Sequence, residues 1–296
     1  MLVALYTGQP RNDYANRNFT APLAAALRHF YARDFDQSQK EFTQALSIVP
    51  DNTFAISFMN ASAAHLGGAL EALTNSEEDA VGKAPKDYLA HVRLGFSYLF
   101  ASLSGADRSL DAREEFNAAI SIDPNAQAAH IGLGILRENE RSANRAKVEF
   151  LAALHADPNN VLAREYLAGI YQVDLRDPQT GLRYAIAVPN LVPDYADIQF
   201  HIASIMEDLQ QYDAAIAYAK AGLALDSGRA GEAGQYGDTL IAQILLKQKK
   251  VADAKKYLEE AVANDADGMY ARKLLDRIAK GEYDDKSSGS TTESRH

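Results

Sequence analysis

AREEFNAAISIDPN (112–125) and AKVEFLAALHADPNN (146–160) decide the fold. Both open on alanine, carry phenylalanine four residues on and alanine three later, and close on Asp-Pro-Asn. Offsets of three and four put these side chains on one face of a helix. Proline then stops the helix, and Asp or Asn supplies the turn. Working outward, prolines recur at 50, 85, 124, 158 and 193, at intervals of 34 to 39 residues. Such a period means stacked supersecondary units that share one continuous core.

Helical spacing runs from about Thr20 to Lys280, and no stretch alternates with the period of a strand. Thr20, followed by Ala21 and Pro22, reads as an N-cap with proline in the first turn. Leu23 to Ala32 and Gln37 to Val49 then form two helices separated at Arg33-Asp34. Pro189 should kink or shorten the helix around it. The chain is therefore expected to be all-α, a solenoid of antiparallel helix pairs.

The units resemble the tetratricopeptide repeat, a helix pair of about 34 residues. Leu94-Gly95 with Tyr98 is similar to that family's first-helix signature, and Ala112, Phe116, Ala119 and Pro124 to its second. Leu133-Gly134 with Ala146, Phe150, Ala153 and Pro158 repeats the pattern. Leu167-Ala168 with Tyr171, Tyr212 with Ala215 and Ala219, and Ala254 with Leu258 and Ala261 extend it toward the C-terminus. Phe35, Phe42, Ala45 and Pro50 extend it toward the N-terminus. The resemblance implies a right-handed superhelix with units near 20–53, 54–87, 88–126, 127–160, 161–195, 196–229 and 235–268. Residues 1–19 precede the array, 269–280 form a capping helix, and 281–296 have the composition of a disordered tail. About five extra residues fall within FASLSGADRSL (100–110), and SGRAGEAGQYG (227–237) is a glycine-rich joint that acts as a hinge or relaxes a superhelical misfit.

Composition narrows the function. The 296 residues carry a formal net charge of −10, which argues against nucleic acid or an anionic membrane surface as the main partner. There is no cysteine, so disulfides and thiolate metal sites are excluded. No run approaches the roughly 20 apolar residues of a spanning helix, so membrane insertion is not expected. MLVALYTGQPRND is a poor export signal. The sequence as written is expected to be cytoplasmic, and periplasmic or secreted if the true start lies upstream.

No catalytic constellation emerges. The seven histidines are scattered without H-x-x-x-H or H-E-x-x-H spacing. His91 and His130 occupy packing positions of their helices. GEAGQYGD (231–238) lacks the Lys-Ser/Thr of a phosphate loop, and NDADG (264–268) lacks the closing acid of a calcium loop. The chain is expected to be no enzyme and to hold no cofactor or metal.

What remains is the concave face, which the resemblance assigns to the first helix of each unit and to protein partners. It would place Leu23, Leu27, Phe30, Tyr31, Phe58, His65, Val92, Phe96, Phe100, Ile131, Ile135 and Phe200 on a peptide groove. Glu165, Gln172, Asp197, Ser204, Glu207, Gln243 and Lys247 make its far half polar to acidic. The basic clamp with which one subfamily holds acidic tails is missing, since Leu23, Leu27 and Leu89 stand at its positions. The expected function is a non-enzymatic scaffold that binds an apolar or amphipathic segment of another protein. Two alternatives are a homo-oligomer built through residues 1–19 or the cap, and a repeat component of a secretion or enzyme complex.

Overall fold

A computed structural model of the protein describes residues 12–226, 237–264 and 269–283. Most of the N-terminal segment (1–11), the joint at 227–236, residues 265–268 and the tail from 284 lie outside the described residues. Among the described residues every regular element is helical. The pairs are α1 (Arg17–Tyr31) with α2 (Phe35–Ile48), α3 (Thr53–Ala64) with α4 (Ala69–Lys83), and α5 (Tyr88–Leu103) with α6 (Ser109–Ile122). There follow α7 (Gln127–Asn139) with α8 (Ala143–Ala156), and α9 (Val161–Gly169) with α10 (Pro178–Ala185) and the short α11 (Val188–Leu191). The series ends with α12 (Ala196–Asp208) and α13 (Tyr212–Leu225), α14 (Gly237–Lys247) and α15 (Val251–Asn264), and a last helix α16 (Met269–Ala279).

Local chemistry explains the punctuation. Asn52 and Asn160, each two residues past a unit-closing proline, cap α3 and α9 by accepting from the backbone N–H of Ala55 and Ala163 at 3.0 and 2.9 Å. Within units, Arg33, Arg141, Gln210 and Lys249 turn the chain with φ between 57° and 62°. Each lies inside a paired hydrogen-bond turn, as where Arg141 N donates to Glu138 O and Ser142 N to Arg137 O. That is the left-handed helix stop usually given to glycine.

One local expectation needs correction. The first helix starts at Arg17, capped by the Asn16 side chain, not at Thr20, and Pro22 sits inside it. Phe19 is fully buried, and docking it in the core is what extends the helix past the proline. Pro189 does break its helix, between α10 and α11. Ahead of that break, five residues Ile170–Asp174 wind as a π-helix.

Packing follows the small-against-large pattern. Phe116 is sandwiched between α5 and α7: a Cβ built on Gly95 would lie 2.6 Å from its ring, and one on Gly132 would lie 2.1 Å from it. Phe150 meets Gly134 in the same way. Ala112, Ala146, Ala215 and Ala254 are all fully buried. The extra residues at 104–108 are tied down by Arg108, whose guanidinium lies 4.0 Å from the Tyr98 ring centroid and 3.6 Å from Glu78.

The solenoid also closes on itself. The Tyr195 ring packs on Phe54 and Phe58, with centroids 4.9 and 5.6 Å apart. Asn160 Nδ2 donates to Gln127 Oε1 at 3.2 Å and to Thr53 Oγ1 at 3.4 Å. Units that a simple array keeps apart thus share one core.

Candidate functional site

Closure brings the N-terminal ends of α3, α7, α9 and α12 together at Thr53, Gln127, Asn160 and Tyr195. The result is a cup of about 1010 Å³, floored by Tyr195 and walled by α1, α3, α5, α7, α9, α12, α14 and α16. One side is aromatic. Phe30 and Phe58 meet edge to face at 5.0 Å, and Phe100 stands beside them on α5. Tyr166, Phe200 and Tyr270 also line the cup, and the Tyr270 hydroxyl accepts from Gln243 Nε2 at 2.8 Å. Leu103 (55% exposed) and Tyr270 (50% exposed) form an open apolar rim. His65 completes the rim, stacked on Phe35 at 4.2 Å.

The charged groups of the wall are all acidic. Glu138, Glu165 and Asp197 line the cup, and no lysine or arginine does. Glu165 accepts from the Tyr195 hydroxyl, and Asp197 accepts from the Tyr31 hydroxyl at 3.0 Å. Glu138 Oε1 is buried and meets no donor. Burial first, and then the charge of Asp174, raises the Glu138 carboxyl above the usual carboxylate range. Burial pushes His201 down to about 4. Burial, with the Arg33 charge second, lowers His65 as well. Both histidines of the wall are therefore neutral at pH 7.

Of the expected groove residues, Phe30, Phe58, His65, Phe100 and Phe200 line this cup, with Glu165, Asp197, Ser204 and Gln243 of the polar half. The other seven apolar ones do not. Leu23, Leu27, Tyr31, Val92, Phe96, Ile131 and Ile135 are buried in the core between helices. Phe96 packs on Phe116 of its own unit, with centroids 5.3 Å apart, while Tyr31 is covered by α12 across the closure. Gln172 is also internal, donating to Ser204 Oγ at 3.0 Å and Asp208 Oδ2 at 2.6 Å. Lys247 pairs with Glu207 at 2.8 Å outside the cup. Sequence reasoning missed Leu103, Glu138, Tyr166, Tyr195, His201 and Tyr270. Leu103, Glu138 and Tyr166 sit in the C-terminal halves of inner helices, His201 near the middle of α12 and Tyr270 on α16, where only the curvature reveals them.

His91 and His130 are satisfied by repeat packing. Each turns Nδ1 to a carboxylate of its own unit, Glu115 at 2.6 Å and Glu149 at 2.8 Å. Each turns Nε2 to the carbonyl of the preceding unit's proline, Pro85 at 3.1 Å and Pro124 at 3.3 Å. Arg164 reaches Pro158 O in the equivalent place. Among the described residues no cluster of three or more His, Cys, Asp or Glu could hold a metal ion. No helix among them is long and apolar enough to cross a membrane.

A tetratricopeptide repeat family model matches residues 196–228 and 239–267, which are the α12–α13 and α14–α15 pairs. These two pairs are tetratricopeptide repeats. Solved structures share the fold along most of the chain's length. YrrB, described as "a TPR protein with an unusual peptide-binding site", aligns over 69% of this chain and 99% of its own at 18% identity, with a TM-score of 0.53. PilF of Pseudomonas aeruginosa aligns over 88% and 97% at 13% identity, TM-score 0.53. Human IFIT1, solved as a dimer with PPP-AAAA, aligns over 86% and 61% at 13% identity, TM-score 0.60. These likenesses establish the architecture of the repeat chain and nothing finer. No curated protein matches the sequence.

Proposed function

We propose that this repeat chain is a non-enzymatic scaffold that receives an apolar or amphipathic segment of another protein in its cup. The observation that carries the reading is a cup of about 1010 Å³ with an aromatic wall and an exposed rim of Leu103 and Tyr270. Its volume is at the upper end of ordinary ligand sites, roughly 300–1,000 Å³. That admits several side chains of a bound segment but not a folded domain. Tyrosine is among the residue types on which binding energy concentrates, and phenylalanine is enriched at interfaces. YrrB, of the same fold, is described by its peptide-binding site, which supports peptides as a ligand class for such an architecture. The net charge of −10 favours protein over nucleic acid as the partner.

The test is selection of a random twelve-residue peptide library displayed on phage against the full chain. Selected peptides should bind at least tenfold more weakly to the Leu103→Asp, Tyr270→Ala double variant. Both residues are exposed, so the fold is spared. A library that yields no peptide sensitive to these two rim positions overturns the reading.

A further inference from the structure

We propose that the segment received by the cup is basic as well as apolar, a lysine or arginine flanked by apolar side chains, with its cationic head at the carboxylate of Glu138. This rests on the reading of the cup as a peptide site and names the chemistry of its ligand.

The charge inventory of the wall is one-sided. Three carboxylates line it and no lysine or arginine does, while both histidines are held neutral by burial. The three acids are not equivalent. Glu165 and Asp197 accept hydrogen bonds from Tyr195 and Tyr31 and so belong to the closure of the solenoid. Glu138 lines the cup with no such commitment, and its buried Oε1 has no protein donor. A carboxylate also repels the approach of an acidic segment and leaves an apolar one without a partner for that oxygen. A guanidinium or ammonium group in the cup pairs with the carboxylate through a charge-assisted hydrogen bond.

The surroundings fit the rest of such a side chain. Phe100 and Tyr166 present aromatic surface in the same cup, favourable both to a cation and to its methylene stem. The nearby cation Lys247 is already paired with Glu207 and does not line the cup, so it does not compete for Glu138. Burial and the charge of Asp174 both disfavour the ionised form of Glu138, and the charge of an incoming cation opposes them.

The experiment uses the peptides selected on the full chain. Their affinities are read by fluorescence anisotropy for the wild type, for Glu138→Gln, and for the Leu103→Asp, Tyr270→Ala rim variant. Each is also remade with norleucine at its basic position. The expected result is a lysine or arginine in the rim-dependent peptides, with a loss of about tenfold on norleucine replacement or on Glu138→Gln, and no further loss when both are combined. Rim-dependent peptides without a basic residue, or with equal affinity for wild type and Glu138→Gln, overturn the charge assignment and leave the peptide reading standing. Absence of any rim-dependent peptide removes both. Glutamine keeps the size of glutamate, and an unchanged circular dichroism melt of Glu138→Gln separates lost recognition from lost folding.

Discussion

The Tyr31 hydroxyl donates to Asp197 Oδ2 at 3.0 Å across 166 residues of sequence, and the Tyr31 hydroxyl oxygen in turn accepts from the Ala196 backbone N–H at 3.1 Å. Tyr31 ends α1 in the first unit and Asp197 begins α12 in the sixth. One buried phenol therefore latches two units separated by four others. Burial first, and then Asp197, raises the Tyr31 hydroxyl well above its usual pKa, so it remains a donor throughout the physiological range.

Tyr31→Phe keeps the ring in the core but strips the Ala196 N–H of its acceptor and Asp197 of a donor. The expected loss is roughly 1–3 kcal/mol, the cost of leaving buried polar groups unmatched. Urea denaturation measures it, and the double variant with Asp197→Asn should lose less than the sum of the two singles. Strict additivity would mean that the latch carries no coupling energy.

Gly132→Ala sets two effects against each other. Alanine is the better helix former by about 1 kcal/mol, but its Cβ would sit 2.1 Å from the Phe116 ring, which Gly95 confines from the other side. Overpacking should win, with a net loss of about 1–3 kcal/mol. Phe116→Leu in the same chain should recover part of that loss. A Gly132→Ala variant as stable as wild type would show that the ring has room to move.

Arg141 adopts φ 57° at the stop of α7 and its side chain is exposed. A left-handed backbone costs a non-glycine residue roughly 1–2 kcal/mol, partly offset by the flexibility glycine adds to the unfolded chain. Arg141→Gly should therefore raise stability by about 0.5 kcal/mol, and Arg141→Val should lower it. Thermal melts of the pair give the sign of each.

His130 links stability to pH. The hydrogen bond to Glu149 is the largest cause raising its pKa above 6.5, with the Pro124 carbonyl and the Glu149 charge adding to it against burial. A folded value above the unfolded one means that the contribution is complete below about pH 6.5. It is lost as pH rises through the raised folded value. Because His65 and His201 shift the other way, the informative quantity is the difference between wild type and His130→Gln. That difference should be about 1 kcal/mol at pH 5.5 and should shrink by pH 8.5. A difference independent of pH would remove the ionised His130–Glu149 pair as its source.

Helix pairing was legible because it depends on short-range regularities. A proline ends each of the first units, an alanine admits the neighbouring helix, and Phe116 or Phe150 fills the space that Gly95, Gly132 and Gly134 leave. The start of α1 was less legible, because the burial of Phe19 overrides the signals around Thr20 and Pro22. The cup was half legible. Phe30, Phe58, Phe100 and Phe200 follow from first-helix position, yet Tyr31, Phe96 and Ile131 share that position and are core. Glu138 carries no mark in the sequence that separates it from the solvated acids on other helices.

The order of helices, their turns and the pairing of small with large side chains were thus determined by residues within one period of each other. How far the inner faces turn toward one another was decided only in three dimensions. Small rotations add from unit to unit until Tyr31 meets Asp197, and that sum sets which aromatic side chains become core and which wall the cup.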